Sequence, residues 1–182
     1  LEFPQSENKR VHISLDQSGH FYIAGYAFSE GMGTSNTFQP ELQQSRQLIA
    51  KFDNNGGRVW CTYYSSNNNF INALDATDNA LYVRGQIFEC LPQDTYNTYY
   101  GSSNSFQTSP LNCRTTFLSK FDANGQRSWS TYYGNSNSSM SNSVKVHEDK
   151  VYFSGSGRGN MGTPGVFQEI AGITGSLYLA QF

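Results

Sequence analysis

The chain has 182 residues, only 14% of them charged, with 12 Lys and Arg against 14 Asp and Glu and a formal net charge of −2. That balance offers no basic footprint for nucleic acid and no polybasic patch for a membrane surface. No apolar run approaches the roughly 18 residues of a membrane-spanning helix, and 15% aromatics with 17 Gly argue against disorder and for many short strands joined by turns.

Residues 1–10, "LEFPQSENKR", read as a polar N-terminal connector without the apolar core of a secretory leader, which a mature exported chain would have lost. "VHISLD" at Val11–Asp16 is the first predicted strand. The turn "DQSGH" leads into "YIAGYA" at Tyr22–Ala27, a second strand that ends near Gly25. A long loop carrying Phe38-Gln39 follows. "PELQQSRQLIAKF" has too many Gln and Ser before a β-type strand to read as an amphipathic helix, so a loop or single turn is expected there. "LIAKFD" at Leu48–Asp53 is the third strand, and "DNNGG" supplies the positive-φ positions that a tight hairpin requires. "RVWCTYY" closes the unit. Alternation puts Trp60, Thr62 and Tyr64 on one face and Val59, Cys61 and Tyr63 on the other. Both faces are apolar or aromatic, so cover is expected on both.

The order then repeats. "YVRGQI" at Tyr82–Ile87 and "YFSGSG" at Tyr152–Gly157 match the second strand, so that Gly25, Gly85 and Gly155 follow one another at intervals of 60 and 70 residues. Phe106-Gln107 and Phe167-Gln168 match the loop pair. "FLSKFD" at Phe117–Asp122 and "YLAQF" at Tyr178–Phe182 match the third strand. Between Lys120 and Tyr133, "KFDANGQRSWSTYY" is identical at ten of fourteen positions to "KFDNNGGRVWCTYY" at Lys51–Tyr64. Such a duplication is either a reactive motif used twice, with Lys120 and Asp122 as its reactive groups, or the seam of a repeated structural unit. Recurrence at the same strand and turn positions favours structure.

Four antiparallel strands per unit of about 60–70 residues, apolar on both faces, is the plan of a β-propeller blade. The expected fold is all-β. It is a partial propeller of about three blades: blade 1 at about 11–65, blade 2 at about 70–134, and an incomplete blade 3 at about 142–182. Eleven strands make an arc with open edges. It is read as a fragment of a longer propeller, an ordered part of a larger chain, or one arc of a self-assembling ring, the missing last strand favouring the first two.

"LIAKFDNNGGRVWCTYY", "FLSKFDANGQRSWSTYYG", the upstream "GHFYIAGY" and "TPGVFQ" at Thr163–Gln168 resemble the bacterial SBBP repeats, described as seven-bladed β-propeller repeats. The resemblance covers nearly all of the chain after about Val11. The sequence departs from it at Tyr64 and Tyr133, where the family has Leu, and in the Cys-flanked insertion of the second unit. The resemblance implies a secreted, cell-surface or outer-membrane-associated bacterial protein, with a link to type 9 secretion or gliding machinery.

Reactive constellations are sparse. "DNNGG" and "DANGQ" lack the spaced oxygen ligands and the final Glu of a calcium loop. His12, His20 and His147 lie at or near turns, with no zinc spacing. No serine occupies a G-x-S-x-G elbow, and "GSGRGN" at Gly155–Asn160 has no phosphate-loop Lys or following helix. Glu148 and Asp149 adjoin on a turn and read as solvated. Asn137-Ser138-Ser139 is a lone glycosylation sequon. No catalytic residue, cofactor or metal is assigned.

Cys61 aligns with Ser130 and reads as a small packed residue. Cys90 and Cys113 flank a polar insertion. A disulfide between them would constrain the unfolded chain by about 3 kcal/mol, the alternative being two unpaired thiols. Within that insertion Tyr96, Tyr99 and Tyr100 are candidates for a contact surface for protein or glycan, unless their rings fold back over the blade edge. The expected function is therefore a non-catalytic protein-binding or scaffolding module, partnered by protein or by further blades. The rival is a polysaccharide-active enzyme or carbohydrate-binding propeller whose site uses other blades.

Overall fold

The computed structural model describes residues 10–27, 29–43, 47–64, 69–88, 98–111, 114–134, 139–157, 162, 164–165 and 176–182, apart from the side chains of Thr98 and 139–142. Among the described residues, alternating apolar and polar residues between Gly- and Asn-rich turns produce eleven strands. These are β1 (His12–Leu15), β2 (Phe21–Tyr26), β3 (Gln47–Phe52), β4 (Arg58–Tyr63), β5 (Asn69–Thr77), β6 (Ala80–Phe88), β7 (Arg114–Asp122), β8 (Arg127–Tyr133), β9 (Ser139–His147), β10 (Lys150–Gly157) and β11 (Ser176–Gln181). A 3₁₀ turn spans Thr98–Tyr100, and no α-helix occurs among the described residues.

The strands form three antiparallel meanders, β1-β2-β3-β4 (sheet 1), β5-β6-β7-β8 (sheet 2) and β9-β10-β11 (sheet 3). The first strands meet, β1 against β5 and β5 against β9, so the sheets fan outward from a common hub. The fold is a partial β-propeller, as the repeat predicts.

Three hairpins share one five-residue turn, Asp-x-x-Gly-x. In Asp16–His20, Asp53–Gly57 and Asp122–Gln126 the glycine takes φ of 82°, 84° and 80°, which only Gly adopts without strain. The aspartate then caps the turn: Asp16, Asp53 and Asp122 each accept, through Oδ1, the last backbone N–H of the turn at 2.9, 2.7 and 2.9 Å. The shorter β9–β10 turn holds Glu148 and Asp149 at φ of 49° and 62°, both exposed.

Bulges recur as well. Val59 and Ser128 are the extra residues opposite the Lys51–Phe52 and Lys120–Phe121 steps. Asn72 and Asn142 are extra in the inner strands. Nothing in the hydrophobic alternation announces them, because a bulge is an insertion into the pairing and not a change of residue type.

Two apolar clusters form the core, one per seam. Tyr22, Ala24, Ile49, Trp60 and Tyr64 of the first unit meet Leu81, Val83, Phe117 and Phe121 of the second. Tyr82 and Leu118 of the second meet Val144, Val151 and Phe153 of the third. Each large side chain removed from water contributes about 1.5–3 kcal/mol, so most of the stabilisation lies between sheets.

The expectation of cover on both faces holds for the Trp strand of sheet 1: Trp60, Thr62 and Tyr64 are buried on one face and Cys61 and Tyr63 on the other, with Val59 left exposed. The outward face of sheet 1 exposes Val11, Ile13, Leu15 and Val59, with Phe21 and Phe52 stacked at 5.0 Å on the same face.

Candidate functional site at the blade seams

The duplicated segment builds the same cluster twice. Cross-strand register places Lys51 between Tyr22 and Trp60, and Lys120 between Tyr82 and Trp129. The Lys Nζ lies 5.2 Å from the Tyr22 ring centroid in sheet 1 and 5.3 Å from that of Tyr82 in sheet 2. Each Tyr meets its Trp edge-on, at 6.1 and 6.3 Å. A cation over an aromatic face contributes about 0.5–2 kcal/mol as burial increases. In sheet 3 the corresponding pair is Tyr152 and Gln181, without the cation.

The motif's remaining residues reach across or along the seam. Trp60 Nε1 donates to the Ala123 carbonyl at 2.9 Å, crossing to the turn of sheet 2. The Tyr64 hydroxyl lies 2.5 Å from Ser119 Oγ, also across the seam. Tyr63 turns back within its own unit and donates to the Ser29 carbonyl at 2.8 Å. Arg58 donates to the Met32 carbonyl and Arg127 to the Tyr99 carbonyl, tying each hairpin to its loop.

Thr62 and Thr131 explain the loop's Phe-Gln pair. Gln39 N–H donates to Thr62 Oγ1 at 2.8 Å while Tyr63 N–H donates to the Gln39 carbonyl at 2.9 Å. Gln107, Thr131 and Tyr132 repeat the arrangement at 2.9 and 2.9 Å. Further back, Thr34 bonds Cys61 and Ser102 bonds Ser130 through both N–H and hydroxyl. The loop thus lies along the free edge of β4 or β8, a protection against edge pairing.

A signal for this loop was present and is longer than Phe-Gln. "GTSNTFQ" at Gly33–Gln39, "GSSNSFQ" at Gly101–Gln107 and "GTPGVFQ" at Gly162–Gln168 are one motif. Its fourth residue, Asn36, Asn104 or Gly165, takes φ of 63°, 66° or 86°. A Cβ on Gly33 would lie 2.0 Å from the Pro40 carbonyl oxygen, and one on Gly101 would lie 1.8 Å from that of Thr108.

That motif relocates the tyrosines. Tyr100 is fully buried, stacked on Phe117 at 3.9 Å, and its carbonyl accepts from Ser130 Oγ at 2.6 Å. Tyr99 packs against Phe38 and Tyr64, donates to Gln39 Oε1 and has its pKa raised by burial. Both fold back over the blade edge, so Tyr100 offers no surface to a partner and Tyr99 little. Tyr96, Cys90 and Cys113 lie outside the described residues, as do Asn137, Phe167 and Gln168.

The other predicted groups stay apart. His20 Nδ1 pairs with Asp16 Oδ2 at 3.0 Å beside the Tyr22 hydroxyl at 3.4 Å, a capped turn. Asp75 accepts from Lys145 Nζ and from Val146 N–H, both at 2.6 Å, and Ser14 Oγ receives Ala76 N–H at 3.0 Å in the preceding seam. The Ala76–Ser14 and Val146–Asp75 bonds link successive inner strands at equivalent positions. Burial pushes the Cys61 thiol up to about 11, which suits a packed residue and not a nucleophile. Among the described residues no group of three or more His, Cys, Asp or Glu is placed to hold a metal.

The class that fold and seams define is a partial β-propeller assembled blade on blade. No protein-family model matches the sequence, and no curated protein matches it.

Proposed function

We propose that this chain is a non-catalytic scaffolding module of an exported or cell-surface bacterial protein, and that it binds protein by offering half of a blade seam. The resemblance to SBBP repeats supports the setting. The open apolar face of sheet 1 carries the binding.

The two internal seams show what such a face receives. Leu81 and Val83 of sheet 2, and Val151 and Phe153 of sheet 3, are buried against the preceding sheet. Register makes Phe21 and Ile23 their counterparts in sheet 1. Alongside them Ile13 and Leu15 remain 62% and 63% exposed. The complementary half lies at the other end of the arc. Ile49 and Leu118, which fill the two internal seams, correspond to Leu179, 71% exposed and adjoined by Leu177 at 87%. The seam relation applied once more joins sheet 1 of one copy to sheet 3 of a second, head to tail. Such heterologous contacts close into rings or extend into filaments.

Sedimentation over a concentration series tests this. Wild type should self-associate, and Ile13→Asp and Leu179→Asp should each be monomeric where wild type is not. An equimolar mixture of the two variants retains one intact half of each kind and should form a 1:1 dimer. A wild type that stays monomeric, or a mixture that fails to dimerise, rejects the reading.

A further inference from the structure

In "YVRGQI", Arg84 occupies the position held by Ala24 in the first unit and Ser154 in the third. It is a departure of the repeat from its own pattern, at a place where the first seam is apolar. Such local rule-breaking concentrates at functional sites.

Arg84 is 0% exposed, and its Nε, Nη1 and Nη2 have no hydrogen-bond partner among the described residues. Alternation along β6 puts it on the Tyr82 face, which packs on sheet 3. Gln86 follows on that face, and Thr116 sits directly opposite Gln86 on β7. Thr116 Oγ1 is also buried without a partner. Across the seam, the face of β10 that begins with Val151 and Phe153 continues as Gly155 and Gly157, and Tyr178, opposite Gly155 on β11, packs against Phe153 on that face.

Burial pushes the Arg84 pKa down to about 10, so the group is still a cation at neutral pH. Its charge is felt nearby, since it helps to lower the pKa of His12. Asp75, opposite Tyr82 on that face, is already committed to Lys145 and to Val146 N–H, and Tyr178 is the titratable group whose charge acts on Arg84. An uncompensated guanidinium in such a setting is destabilising, and a neutral solvent molecule would satisfy its donors without balancing its charge.

We infer that Arg84, with the Thr116 hydroxyl on the same sheet face, holds a small monovalent anion such as a halide in the seam between sheets 2 and 3. Complete burial sets the size limit: a single ion fits the class, and an extended oxyanion does not. The bound ion acts as a staple between the two sheets, because it completes a charge that belongs to sheet 2 in a space closed by sheet 3.

Bromide is the probe. Crystals of the intact chain grown in sodium bromide should show an anomalous peak against the Arg84 guanidinium. Melting temperature at constant ionic strength should rise as bromide or chloride replaces gluconate, which is too large to enter. Arg84→Met should lose that rise, and Thr116→Val, a milder change, should weaken it. No anomalous peak at Arg84, or a halide response in Arg84→Met equal to wild type, overturns the assignment.

Discussion

Trp60 Nε1 and the Ala123 carbonyl, 63 residues apart in sequence, meet at 2.9 Å across the first seam. The indole ring meanwhile packs against Tyr22 in its own sheet. One side chain of the duplicated motif therefore stabilises its own blade and holds the next. Trp60→Phe keeps a ring but removes the donor, leaving the carbonyl unpaired. It should cost about 1–3 kcal/mol, measurable by urea denaturation. A change within error would mean that the seam does not depend on this bond.

Gly85 lies beneath Phe117, which approaches so closely that an added Cβ would stand 2.2 Å from Cζ and 2.5 Å from the Phe70 carbonyl oxygen. In the second unit the recurring glycine is a packing requirement, whereas a Cβ on Gly25 would come no closer than 3.5 Å to any neighbour. Gly85→Ala should destabilise by about 1–3 kcal/mol through overpacking, and Phe117→Leu in the same chain should recover part of the loss. Thermal denaturation of the three variants would decide it.

Asp122 caps its turn with two bonds of 2.9 Å, from the Asn124 and Gln126 N–H groups, as Asp53 does for Asn55 and Gly57. Asp122→Ala should lose about 0.5–2 kcal/mol and Asp122→Asn less, since the amide oxygen still accepts. Equal losses for both replacements would show that charge and not capping is what the position supplies.

Turn, strand and loop were legible in the sequence wherever one residue type has one steric use. The turns "DQSGH", "DNNGG" and "DANGQ" marked three hairpins, whereas the shared face of Tyr, Lys and Trp emerged only from the register of the strands. β3 begins at Gln47, one residue before the expected Leu48, and β9 begins at Ser139, ahead of the expected start of the third unit. The bulges at Val59 and Asn72 left no trace, because pairing register is set between strands. Tyr99 and Tyr100 stood open between a contact surface and a fold-back over the blade edge, because a polar neighbourhood in sequence hid their spatial neighbours, Phe38, Tyr64 and Phe117. Arg84 was invisible for the same reason: alignment puts it in the place of Ala24, and only the packed sheets reveal a buried cation.

His12 gives the chain a pH dependence of definite sign. Burial first, then the charges of Arg10 and Arg84, hold its folded-state pKa below the ordinary 6.5. The unfolded chain then binds the proton more readily, so stability falls as pH drops below about 6.5 towards the folded value, and levels off beneath it. His12→Gln should flatten this part of the stability profile. An unchanged slope in the variant would assign the effect to another group.

The central claim is that the duplicated segment is a seam between blades, and Tyr64 with Ser119 is its most direct test. Their oxygens lie 2.5 Å apart and both are buried, each belonging to a different sheet. A double-mutant cycle of Tyr64→Phe and Ser119→Ala, read by equilibrium unfolding, isolates the contact. Residues joined across a seam should show a coupling of about 1 kcal/mol. Additivity within about 0.3 kcal/mol would contradict the claim and return the motif to an unexplained duplication.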